Sequence, residues 1–144
     1  MTFKNRKSDM DTVTVVKMIG QGYPVDELSR QASLPSLASC LNEMMGRRHY
    51  SVEVTAGFAG LNPATVHKIV SRKIAPSRNA LLRLALALEM SFEQTQTLLK
   101  AGSCAALSGS RSRDLYIIKG LEERMSYVEV NSLLTANGFA DLSR

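Results

Sequence analysis

The stretch SVEVTAGFAGLNPATVHKIVSRKIAP, residues 51–76, decides how the chain is read. Ser51 opens a short helix running to about Ala59, and Gly60-Leu61 makes a turn. Asn62 is a strong N-cap, and Pro63 suits the first helical position, where no amide is needed. Val66, Ile69 and Val70 give the second helix an inward face. Ala56 is small where two helices must cross closely. Gly60 stands at the sharp turn, where a left-handed backbone is easiest for glycine. With Val66 and Ile69 as anchors, Ala64, Thr65, His67 and Lys68 point outward or along the flank. Pro76 stops the run.

Working outward, helical spacing continues on both sides. Leu37, Leu41 and Met44 form a stripe that Gly46 closes in the C-cap role. Leu81, Leu84, Ala85 and Leu88 make a strongly apolar stripe ending at a break at Met90-Ser91. Beyond Pro76 the chain repeats itself. Ser77–Ser108 aligns without gaps on Ser112–Ser143, with eleven identities in thirty-two pairs. Each copy carries a capping box, Ser91 with Gln94 and Ser126 with Glu129, so the unit is a helix, a tight turn and a second helix. Two copies are too few for an open solenoid, so they are expected to pack on each other or on a partner chain. The divisions expected are a mobile basic tail (1–10), an N-terminal helical hairpin (11–34) and a helical domain (35–102). A small, polar, flexible linker (103–112) then leads to a C-terminal hairpin (113–144) that repeats 78–109. Everything reads as all-α; the short alternation at Tyr50–Thr55 is too brief for a strand.

Composition agrees with a globular protein of 144 residues: 44% hydrophobic, 22% charged, net charge +5. The charge is concentrated. Arg47, Arg48, Lys68, Arg72, Lys73, Arg78 and Arg83 fall in one window with Glu53 as its only acid, which is expected if one surface faces a polyanion. Arg47, Arg48 and His49 also follow a helix C-terminus, where basic residues are favoured electrostatically.

A helix, a glycine turn and a second helix with a polar outer side is a helix-turn-helix, whose second helix enters the DNA major groove. Over Leu37–Ala101 the sequence resembles the lambda-repressor-like (Cro/C1, XRE-type) helix-turn-helix family. The resemblance lies in Ala56, Gly60-Leu61-Asn62, Thr65-Val66, Lys68-Ile69, the basic loop, Pro76 and the leucine-rich run Leu81–Leu88. It implies a five-helix core with a recognition helix at about Asn62–Ser71, carried by a transcriptional regulator that binds double-stranded DNA as a homodimer. It implies base and nearby phosphate contacts from Asn62, Ala64, Thr65 and Lys68, and a phosphate contact at Val52. Arg72 and Lys73 would meet the backbone of the other strand, and His67 lies on the same helix as a further candidate. Thr55, Gly57, Ala64 and Arg72 depart from the family pattern. They motivate an alternative in which the fold is kept as a protein-interaction adaptor that does not read DNA, with the C-terminal hairpin as a surface for a protein partner.

Other classes find no support in the sequence. Gly20-Gln-Gly22 has neither the strand nor the lysine of a phosphate-binding loop, and no Ser, His and acid stand out as a triad. No enzyme, cofactor or metal site is expected; two cysteines and two histidines without close spacing do not make a metal site. Cys40 reads as packing and Cys104 as a loop thiol, both reduced. With no apolar run long enough for a membrane span and no signal region, the expected location is cytoplasmic, with no membrane partner.

Overall fold

Residues 36–143 are described by the computed structural model; residues 1–35, with the expected tail and N-terminal hairpin, and Arg144 lie outside the described residues. The described residues hold seven α-helices and no strand, where the expected core has five. They are α1 (Leu37–Arg48), α2 (Val52–Ala59), α3 (Pro63–Val70), α4 (Arg78–Ala87), α5 (Phe92–Ala101), α6 (Ser112–Glu122) and α7 (Tyr127–Ala136). No helix among the described residues is long and apolar enough to cross a membrane.

Local chemistry accounts for the helix starts. Ser36, Ser51, Asn62, Ser77, Ser91 and Ser126 each accept a first-turn amide on their side chains. Each such cap contributes about 1 kcal/mol. Both expected capping boxes are present. Only α6 starts without one, on Arg111.

The helix ends share one device. Each helix is followed by a left-handed residue whose amide bonds back three positions, while the next amide bonds back five. For α2 that residue is Gly60 (φ 66°), with Gly60 N–H donating to Gly57 O and Leu61 N–H to Ala56 O. For α7 it is Gly138; at the other five ends it is His49, Arg72, Glu89, Ser103 or Arg124. This corrects the expected end of α1. Gly46 is not its cap: the helix runs on to Arg48, and Gly46 only lends its carbonyl to the amide of left-handed His49.

At the centre lies α4, buried nearly all round through Leu81, Leu82, Leu84, Ala85 and Leu86. It packs on α2 and α5 and also on α6 and α7, while α3 packs on α1 and α2. Ala56 and Ala59 are fully buried, small enough to let α2 lie close. The two repeated hairpins pack against each other by reciprocal contacts. Arg78 donates to both carboxylate oxygens of Asp114 (3.3 and 3.0 Å), and Arg113 donates to Asn79 Oδ1 (3.3 Å). Arg78 and Arg113 are repeat equivalents, as are Asn79 and Asp114, so the pairing is that of a two-fold related pair of surfaces within one chain. The segment expected to be a flexible linker is pinned. Arg78 holds Ala105 O (2.8 Å) and Ala106 O (3.2 Å), Leu107 is buried and hydrogen-bonded both ways to Gln96, and Asp114 accepts Ser108 N–H. The described residues accordingly form one compact unit.

Candidate nucleic-acid interface

The site is built on α3. Asn62 Oδ1 accepts Ala64 N–H (2.9 Å), Pro63 occupies the first turn, and Val66 and Ile69 are buried. Fixing those two positions leaves Ala64, His67, Lys68 and Ser71, at spacings of three and four, on one exposed face. Asn62 is exposed and Thr65 half-buried on the flank. Ser71 was not among the residues named from the sequence, although its place seven after Ala64 marks it as part of this face; its hydroxyl donates to His67 O (2.7 Å).

The first helix of the pair supplies the opposite edge. Ser51 Oγ accepts Val54 N–H (3.1 Å), leaving the amide of half-buried Val52 at the helix N-terminus, where partial positive charge accumulates. Glu53 sits beside it and accepts from His67 Nε2 at 2.8 Å, tying α2 to α3 through two exposed side chains. The His67 hydrogen bond holds the Glu53 carboxyl below its ordinary range, with further help from Glu53's own amide. His67 is therefore engaged with a carboxylate on this surface.

Past α3, Arg72 (φ 63°) and Lys73 are both exposed. The Arg72 guanidinium reaches back to Ser36 Oγ (3.1 Å), a single exposed bond that costs little to exchange for a phosphate. Lys68 and Lys73 make no ion pair among the described residues.

The expectation that the whole basic window faces one partner is corrected here. Arg48 pairs with Glu89 (2.6 Å) and donates to Leu88 O (3.1 Å), and Arg78 is committed to Asp114. Arg83 turns inward to the carbonyls of Ala59 (2.9 Å), Gly60 and Leu142. Arg47 pairs with Glu43 within α1 (3.1 Å). Three cations, Lys68, Arg72 and Lys73, remain on the α3 side.

Neither thiol stands in this site. Cys40 is buried in α1, and burial pushes its thiol up to about 11, which keeps it protonated; Cys104 is half-buried after α5. Among the described residues no three His, Cys, Asp or Glu side chains converge to hold a metal ion. No family model, curated protein or solved structure matches the chain.

Proposed function

We propose that the chain is a lambda-repressor-like transcriptional regulator that binds double-stranded DNA, with α3 lying in the major groove. In this reading α1–α5 are the five-helix core and α6–α7 an added hairpin. One observation carries it: Ala64, His67, Lys68 and Ser71 form an exposed face on a helix anchored from behind by Val66 and Ile69, with Arg72 and Lys73 immediately beyond. Lys68 has the reach and charge to donate to guanine O6 and N7, and Thr65 to hydrogen-bond a base or meet a thymine methyl. Asn62 and the Val52 amide suit phosphates of one strand, and Arg72 and Lys73 those of the other. The role is binding and not catalysis, in the cytoplasm, by a homodimer on paired half-sites about one helical turn apart.

Selection of bound sequences from a random duplex pool, followed by a salt titration, tests this. A recovered motif with two-fold symmetry is the expected result. Lys68→Ala and Lys73→Ala should each weaken binding and make the salt slope shallower by about 1 per lost phosphate contact. No affinity for duplex DNA at low salt discards the reading. The adaptor alternative has one observation in its favour: Val54 and Phe58, four residues apart on α2, are 44% and 55% exposed. A stoichiometric protein complex that survives both nuclease and high salt, and is lost in Phe58→Ala, would replace DNA with a protein partner.

A further inference from the structure

The turn between α2 and α3 is held by Arg83 of α4 together with Tyr127 of the second hairpin. Arg83 lies on α4 in the middle of a leucine run, at the position where the other repeat has Ile118. Its guanidinium spans three carbonyls, Ala59 (Nε, 2.9 Å), Gly60 (Nη2) and Leu142 (Nη1, 3.4 Å). Two of these are at the C-terminal end of α2, where a cation is favoured by the helix dipole. The same guanidinium stacks on the Tyr127 ring, 4.8 Å from its centroid. The tip of that ring fills the space a Cβ on Gly60 would need. Tyr127 is itself fixed as the first residue of α7 behind the Ser126–Glu129 capping box. Leu142 is buried, and Asn131 Oδ1 accepts its amide (2.8 Å), so its carbonyl is fixed as well.

We propose that Arg83 and Tyr127 are positioning residues for DNA binding: they clamp the Gly60 turn, so that the angle at which α2 presents α3 depends on a hairpin that need touch no DNA. This rests on the reading of α3 as the recognition helix. The geometry has a plain consequence. A two-helix reader works only if phosphate contacts from α2 and base contacts from α3 are made together, and small errors between them are costly. Gly60 alone, with the conformational freedom of its residue type, does not fix that angle. The stacked pair of Arg83, bonded to the Gly60 carbonyl, and Tyr127, filling the space beside the Gly60 Cα, removes the freedom.

The experiment compares wild type with Tyr127→Ala, Tyr127→Phe and Arg83→Met by amide hydrogen exchange over residues 58–66 and by affinity for the selected duplex across a salt series. Tyr127 is half-buried, so Tyr127→Ala keeps the test alive if Arg83→Met does not fold. Expected in Tyr127→Ala are faster exchange at Gly60 and Leu61 and affinity lowered about tenfold with the salt slope unchanged, because no phosphate contact is removed. Tyr127→Phe keeps the ring and should behave as wild type. A folded Tyr127→Ala protein with wild-type exchange and affinity overturns the clamp. Faster exchange with unchanged affinity, or lost affinity with unchanged exchange, overturns its positioning role. If the wild type binds no duplex, the DNA reading falls and with it the role for DNA, while exchange at Gly60 still decides whether the clamp holds the turn.

Discussion

Arg72 and Arg124 occupy the same kind of backbone position, the left-handed residue after a helix, at φ 63° and 53°. A side chain there costs about 1–2 kcal/mol, part of which glycine recovers and part of which it returns as unfolded-state freedom. Arg124 is exposed, and its side chain makes no ion pair or hydrogen bond among the described residues. Arg124→Gly should therefore stabilise the protein by about 0.5 kcal/mol, read from denaturant midpoints, and leave duplex affinity alone. Arg72→Gly should give a similar stability gain and yet weaken binding, with a shallower salt slope. Equal affinities for the two variants would remove Arg72 from the interface. Thr55 is fully buried in α2, and its hydroxyl has no hydrogen-bond partner among the described residues. An unsatisfied buried hydroxyl costs roughly 1–3 kcal/mol, so Thr55→Val, of nearly the same shape, should raise the melting temperature by several degrees. A lower melting temperature would mean that the hydroxyl is satisfied in solution.

Among the elements, the duplicated hairpins show how one repeat was fitted to two surroundings. Leu84 on α4, which packs on α2, and Leu88 just past its end are fully buried; their equivalents, Lys119 on α6 and Glu123 just past its end, are exposed and pair with each other (2.5 Å). The contact between the hairpins is unequal in the same way. Asp114 is 2% exposed and answers both Arg78 and the Ser108 amide, while its counterpart Asn79 offers Arg113 one neutral oxygen. Asp114→Ala should cost roughly 3 kcal/mol, because it takes the counter-charge from a largely buried guanidinium and the acceptor from the Ser108 amide, and Asn79→Ala about 1 kcal/mol. Equal losses in chemical denaturation would refute that asymmetry. The Glu53–His67 bond between α2 and α3 gives a pH test. Since the native carboxyl lies below its ordinary range, the bond's contribution is fully present above the ordinary carboxylate range. It fades as pH falls through the native value. In His67→Ala the Glu53 midpoint, followed by NMR, should rise toward the ordinary value. The repeat and the helix starts at Ser51, Asn62, Ser91 and Ser126 were legible in the sequence because caps are local: each of these residues and the amide it caps are two or three apart. Helix ends were not, because five of the seven left-handed positions carry no glycine, and the cue led to Gly46 instead of His49. Nor were the partners of Arg48, Arg78 and Arg83, which lie 23 to 59 positions away along the chain and draw those charges inward.

For the described molecule as a whole, the question is whether α6–α7 is an appendage or part of the core. Neither hairpin is large enough to bury an interior alone, and stability in such pairs comes from the interface between copies. The second hairpin supplies Ile117, Leu121, Val130, Leu134 and Leu142 to the buried set, and Leu86 of α4 lies against the Gly120 and Val130 region. Burying each large apolar side chain contributes about 1.5–3 kcal/mol, so uncovering this face is an effect on the scale of a domain's whole stability. The 144-residue chain should therefore lose α1–α7 in one cooperative transition. A chain ending at Ser110 should keep helical far-ultraviolet signal but unfold broadly, bind a hydrophobic dye and lose protection at Gly60 and Leu61. A sharp transition in that shortened chain, with those two amides still protected, would make the second hairpin a passenger. The helix pair would then owe its geometry to the first five helices alone.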